Sequence, residues 1–336
     1  MSILNSVVLS ILSNGKGILA ADESTGTMSI RLSDVGVPST PENRLLFRET
    51  LFSSSSMKDC IGGVILYDET IRQITSEKIR ITELISSMGS NPGIKVDTGA
   101  KVLAGSTGEK ITEGLDGLRE RLREYYDLGA KFTKWRGVYN ISKDYPSKLS
   151  IQSNAHALAR YSALVQECNM VPIVEPEVLM DGNHSEKDCY NKTSEVIEKC
   201  FEELILHKVD LKGIILKPNM ILAGNKYKTK ISNNEVAKLT LSCLKNSVPS
   251  DVPGIAFLSG GQSEVEATEN LNSINIINDS NFTFTYSYGR ALQQSALKHW
   301  SKNIQDIQGT QAIFNHRAKM NTLAALGKWS QEIERK

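Results

Sequence analysis

Lys217 closes an apolar run, Gly213-Ile214-Ile215-Leu216, and Pro218-Asn219 follows at once. Such a run reads as a buried strand stopped by a proline. An amine at its end stands at the edge of a low-dielectric core, where desolvation favours the neutral, nucleophilic form. A neutral amine condenses with a ketone to give a Schiff base, which withdraws electrons from the neighbouring carbon. A strand-end lysine can also reach back to solvent and do no chemistry, so its companions decide.

Those companions recur at the ends of other apolar runs. Asp22 ends one, Lys95 and Asp97 another, Lys134 and Arg136 a third, and Glu175 and Glu177 a fourth. Lys134 is a second cation, which favours the neutral form of a nearby amine. Glu175 or Glu177 can shuttle protons for dehydration of a carbinolamine. Asp22 can take the hydroxyl proton whose loss triggers carbon–carbon cleavage. Two further runs lead into Leu258-Ser-Gly-Gly-Gln262 and Ser287-Tyr-Gly-Arg290. There, Gly260, Gly261 and Gly289 let backbone N–H groups approach an anion; Ser259 and Ser287 add hydroxyls, and Arg290 adds a charged fork. Lys95 and Arg31 are candidates to hold a second anion at the far end of the substrate. These residues predict a lysine-dependent aldolase acting on a phosphorylated keto sugar.

The elements that must position them follow from the same runs. Apolar stretches recur at residues 16–22, 60–67, 93–97, 130–136, 171–177, 213–217, 254–260 and 282–288. Segments of helical periodicity lie between them. One is 115–126; another is 155–165, with Asn154 as its N-cap. Buried strands alternating with helices point to an α/β chain folded as a (β/α)8 TIM barrel. A doubly wound open sheet is the competing architecture, but no Gly-x-Gly-x-x-Gly follows the first strand. The barrel demands reactive groups at the C-terminal ends of several strands. All the runs comply except 60–67, which ends weakly in Asp68 and Glu69. No linker divides the chain, so residues 1–336 read as one catalytic domain with an N-terminal helix and a C-terminal helical extension.

Composition narrows the function classes. With 40% hydrophobic residues and a net charge of +1, the 336-residue chain has no bias toward nucleic acid or a membrane surface. The apolar N-terminus lacks a basic leader and is broken by Asn5, Ser6 and Ser10, so it reads as an amphipathic helix. The five scattered cysteines form no Cys-x-x-Cys pair. A reduced, cytoplasmic protein is expected.

Six motifs carry a family resemblance in chain order. They are Gly17-Ile-Leu-Ala-Ala-Asp-Glu-Ser-Thr-Gly26, Lys134-Trp-Arg136, Val171-Pro-Ile-Val-Glu-Pro-Glu177, Leu216-Lys-Pro-Asn-Met220, Phe257-Leu-Ser-Gly-Gly-Gln-Ser263 and Tyr288-Gly-Arg-Ala-Leu-Gln293. The chain resembles class I fructose-1,6-bisphosphate aldolases of glycolysis and gluconeogenesis. The resemblance implies a lyase with a Schiff base on Lys217 and Glu175 as principal proton carrier, with Glu177 beside it. It implies that Asp22 acts on the C4 hydroxyl and that Lys134 stabilises charge at the carbinolamine. Ser259, Gly260, Gly261, Ser287, Gly289, Arg290 and Arg31 fall to the 1-phosphate. Lys95, Arg136, Ser24 and Thr27 fall toward the 6-phosphate. It further implies phosphorylated ketose and triose phosphates as partners, no cofactor, no metal and a homotetramer. Two departures stand out. Ile30 occupies a position that is basic in vertebrate members, and residues 327–336 carry no terminal tyrosine of the kind that ends the vertebrate tail.

A zinc-dependent aldolase would need clustered histidines, and the five at 156, 184, 207, 299 and 316 show no ligand spacing. A transaldolase or deoxyribose-phosphate aldolase would share the lysine but not the whole motif set. A phosphosugar-binding scaffold would not need both Lys217 and Glu175.

Overall fold

A computed structural model gives the structure of residues 2–335. In chain order its strands are β1 (Gly17–Ala20), β2 (Ile61–Leu66), β3 (Asn91–Lys95), β4 (Gly99–Leu103), β5 (Ser106–Glu113), β6 (Phe132–Tyr139), β7 (Val171–Val178), β8 (Ile215–Leu216), β9 (Gly254–Phe257) and β10 (Thr283–Tyr288). Eight of them close a barrel in the order β1-β10-β9-β8-β7-β6-β3-β2, and every barrel pairing is parallel. Each arises from one of the apolar runs, and helices alternate with them, so the (β/α)8 barrel is the observed fold.

Period-two alternation sorts each strand into an inner and an outer row. Ile18 and Ala20, Ile65, Phe132, Val171 and Ile173, Ile215 and Ala256 form the inner cluster. Leu19, Val64, Trp135, Val174, Leu216, Phe257 and Tyr286 point the other way, into the layer shared with the helices. Phe132 fills space that two neighbours leave: a Cβ on Gly63 or Gly93 would fall 2.8 or 2.4 Å from its ring. The first helix, Ile3–Leu12, is amphipathic as its sequence suggests. Its Val8, Ile11 and Leu12 join the inner cluster and seal the floor of the barrel.

Three differences from the sequence reading have physical causes. The β4–β5 hairpin was not foreseen because it stands outside the barrel with mostly exposed residues, so no apolar run marks it. Asn154 is not an N-cap: its helix runs Lys148–Glu167 and is capped by Ser147. Asn154 is buried within it, accepting from Thr112 N at 3.2 Å and donating to Lys110 O at 2.9 Å, which ties the hairpin to the barrel. The helix expected at 115–126 runs Leu118–Asp127. All five cysteines are free, and burial pushes Cys200 and Cys243 up to about 12, so these are inert thiols. Among the described residues no helix is long and apolar enough to cross a membrane.

The floor tolerates no extra atom at Gly62, where a Cβ would stand 1.9 Å from the Ile11 carbonyl oxygen. Gly62→Ala should therefore displace the first helix and cost about 1–3 kcal/mol. The urea midpoint checks this; an unchanged midpoint would contradict the seal.

Candidate active site

The inner rows that are apolar at the floor turn ionic at the mouth. Ile18 and Ala20 lead to Asp22, Phe132 to Lys134 and Arg136, Ile173 to Glu175 and Glu177, and Ile215 to Lys217. Strand register aligns them. Lys134 pairs with Lys95 on one side and Ile173 on the other, Arg136 pairs with Glu175, and Lys217 N donates to Val174 O at 2.8 Å. Parallel pairing thus brings three adjacent strand ends to one spot.

The result is a chain of alternating charge. Lys217 Nζ is 3.0 Å from Glu175 Oε1. Lys134 Nζ lies 3.4 Å from Glu175 Oε2 and 2.7 Å from Asp22 Oδ2. Lys217, Lys134 and Glu175 are each only 4% exposed, so solvent screens them little. Burial by itself would raise the Glu175 carboxyl, but the Lys217 and Lys134 ammonium groups outweigh it and hold the carboxyl below its usual range. Burial likewise opposes the charge on Asp22, and Lys134 followed by Lys217 holds it well below the carboxylate norm. Burial also disfavours the Lys134 cation, which Asp22 and Glu175 keep well above the lysine norm. Glu177 pairs with Arg136 at the rim, and Lys95 Nζ is held by Asp97 at 2.6 Å.

A second group gathers on the other side of the mouth. After β9, Gly260 and Gly261 line one wall of the cleft with φ of +55° and +87°, left-handed conformations that favour glycine. Beside it Ser287 is buried with its hydroxyl unpartnered, and Arg290 opens the helix Arg290–Trp300. Such a helix start favours an anion. Arg31 stands with this group: its Nη2 would lie 3.9 Å from a Cβ on Gly289. Arg31 and Lys95 line the same cleft, with Arg31 near Gly289 and Lys95 at the end of β3. Arg31 pairs with the buried Glu23. Ser24 caps the helix Thr25–Asp34 and hydrogen-bonds the Thr27 hydroxyl at 3.1 Å.

One cleft of about 1360 Å³ receives every candidate: Asp22, Ser24, Arg31, Lys95, Lys134, Arg136, Glu175, Glu177, Lys217, Ser259, Gly260, Gly261, Ser287, Gly289 and Arg290. Its described lining contains no histidine or cysteine, so the donors on offer suit proton transfer and anion binding rather than zinc. From the weakly ending second run only Tyr67 reaches it; Glu69 turns away to Arg44, and Asp68 to Arg72. Sequence reasoning missed Gln294 and Lys298, which also line it. Their signal was available, because Arg290, Gln294 and Lys298 repeat every fourth residue along one helix face. Ile30 also lines the cleft and is 65% exposed, so that departure faces the solvent side of the site.

Comparison with known proteins agrees with this geometry. The family model "Glycolytic: Fructose-bisphosphate aldolase class-I" matches residues 3–336. A probable class 1 fructose-bisphosphate aldolase of Xanthomonas campestris pv. campestris is 50% identical over 94% of this chain and 95% of its own length. Fructose-bisphosphate aldolase C-B of Danio rerio is 48% identical, covering 97% of this chain and 90% of its own. The solved fructose-bisphosphate aldolase of Plasmodium falciparum superposes with a TM-score of 0.96 at 42% identity, over 98% of this chain and 95% of that one.

Because Asp22 and Glu175 are depressed when folded, their stabilising contribution is complete above the ordinary carboxylate range near about 4. It fades as pH falls through their lowered folded values. Lys134→Met removes the cation between them and should cost about 3–5 kcal/mol near neutrality. It should also raise both carboxyls, so that the remaining stability becomes pH-dependent nearer neutral pH. Urea midpoints measured from pH 7 to pH 4 test this; parallel wild-type and variant curves would contradict it.

Proposed function

We infer the chemistry of this site from one premise: the chain belongs to the class I fructose-bisphosphate aldolase family. It is a glycolytic lyase that reversibly cleaves fructose 1,6-bisphosphate to dihydroxyacetone phosphate and glyceraldehyde 3-phosphate. We propose that Lys217 is the Schiff-base residue and Glu175 its proton carrier. The observation that carries this is the 3.0 Å approach of the two, both buried, at the end of adjacent strands.

In the proposed sequence the Lys217 ammonium passes a proton to Glu175, and the neutral amine attacks the C2 ketone. Glu175 returns a proton to the carbinolamine hydroxyl, which leaves as water and yields the iminium. Lys134 stabilises charge on the departing oxygen. Asp22 takes the C4 hydroxyl proton; the C3–C4 bond breaks, its electrons pass to the iminium nitrogen, and the aldehyde departs. Protonation of the enamine at C3 and hydrolysis then free the second triose phosphate and restore the amine. Glu177, paired with Arg136, positions the rim of the site.

For the 1-phosphate we propose the concavity formed by Ser259, Gly260, Gly261, Ser287, Gly289 and Arg290, completed by Arg31. The adjacent glycines, unpartnered hydroxyl and helix start support that assignment. Lys95, Arg136, Ser24 and Thr27 would take the 6-phosphate. Lys95 on the opposite wall supports a substrate spanning the mouth, charged at both ends. We further propose that residues 1–336 act as one catalytic domain, in a cytoplasmic homotetramer, with no metal taking part in the reaction and apart from membrane or nucleic acid. Family membership supports the assembly, and the near-zero net charge supports the last point.

Glu175→Gln should lower kcat about 10²–10⁴-fold with KM little changed. Lys217→Arg should abolish turnover, and EDTA should leave the wild type unaffected. Substantial activity in Lys217→Arg, or loss with EDTA, would overturn the assignment. Arg290→Ala should raise KM about tenfold to a hundredfold, the worth of one charged hydrogen bond. An unchanged KM would remove Arg290 from the phosphate site.

A further inference from the structure

Two of the histidines that show no ligand spacing in the sequence do form a cluster in space with Glu203, outside the cleft. His156 lies on the helix Lys148–Glu167. Glu203 lies four residues before His207 at the end of the neighbouring helix Glu186–Leu206. A ring nitrogen of each histidine and a Glu203 oxygen all fall within 4.8 Å of one another. The sequence hid this because His156 is on a different helix; only the Glu203–His207 spacing of four is visible along the chain.

The arrangement resembles a metal site more than a chance surface contact in four respects. His156 Nδ1 is 3.2 Å from Glu203 Oε2, and a His207 ring nitrogen lies within 4.8 Å of both ligand atoms. Bonds of about 2.0–2.2 Å in a tetrahedral zinc site place ligand atoms roughly 3.3–3.6 Å apart. The two imidazoles meet edge to face at 4.9 Å between centroids, facing one carboxylate oxygen without stacking. Glu203 is 5% exposed, yet its side chain pairs with no Lys or Arg among the described residues; the nitrogens near its carboxylate are those of Gln152 and the two imidazoles. An outer shell is in place as well. Gln152 donates to Glu203 Oε1, leaving Oε2 for the cluster, and the His207 Nδ1–H donates to the Glu203 carbonyl at 2.8 Å, which leaves the lone pair on Nε2. A ring N–H held by a backbone carbonyl is the usual way a ligating histidine is oriented.

We propose that His156, Glu203 and His207 bind one divalent transition-metal ion, zinc foremost. Two imidazoles and one carboxylate suit zinc, cobalt or nickel, and are poor ligands for calcium or magnesium, which take oxygen donors. The side chain of His156 is 49% exposed, which gives an ion an entry path and leaves a coordination position for water. The ion clips together the two helices that follow β6 and β7, and so braces the strands bearing Lys134 and Glu175 from outside. It takes no part in cleavage.

Full-length protein stripped with chelator and titrated with zinc chloride by calorimetry tests this. The expected result is one ion per chain in the wild type and a zinc-dependent rise in melting temperature. His156→Ala alters an exposed side chain and should keep wild-type turnover. It should weaken zinc binding more than about 100-fold and abolish the rise, while Gln152→Ala weakens binding roughly 10–100-fold. Cobalt should give visible d–d absorption in the wild type that is lost in His156→Ala. Absence of zinc binding in the wild type, or equal zinc affinity and equal cobalt spectra in the wild type and in His156→Ala, would overturn the proposal.

Discussion

Glu175 sits between two buried amines, and the remainder of the site is arranged around that fact. A lone buried carboxylate or ammonium costs several kcal/mol, more than any single strand pairing returns. Asp22, Lys134, Glu175 and Lys217 avoid that cost by alternating in sign, each within 3.4 Å of the next. The arrangement survives only while three neighbouring strands keep their register. A one-residue slip of β7 would turn Glu175 outward and put Val174 in its place. The apolar floor and the helix that seals it therefore serve the chemistry, because they fix the strands whose upper ends carry charge.

The same alternation explains how one surface does two jobs. The central charges are compensated by one another and deeply buried, which suits proton transfer. Toward the cleft edge, Arg290 is not paired with a carboxylate among the described ion pairs, and the φ-positive Gly260 and Gly261 line the wall. Cations there stay available to phosphate. The barrel sets the two zones on different sides of its mouth, and one cleft spans both.

Much of this was legible in the sequence because barrel chemistry follows strand ends. Eight apolar runs became eight barrel strands, and the residues closing seven of them converge on one cleft, joined by Tyr67 from the other. Where the sequence was silent, the cause was an interaction between distant segments. The hairpin Gly99–Glu113 carries little apolar signal because it packs only lightly. Asn154 resembles a helix cap, yet it serves a hairpin some forty residues upstream (|i−j| = 42). Glu23 could not be matched to Arg31 from spacing alone, since it belongs to a strand exit and Arg31 to the following helix. His156 and His207 meet only because two helices pack side by side.

The proposed chemistry requires Lys217 to be the covalent residue. Incubation with dihydroxyacetone phosphate and borohydride, followed by peptide mapping, addresses it directly. The expected result is one reduced adduct per chain, located on Lys217 and absent from Lys217→Met. An adduct on Lys134 or Lys95, or none at all in an active enzyme, would contradict it.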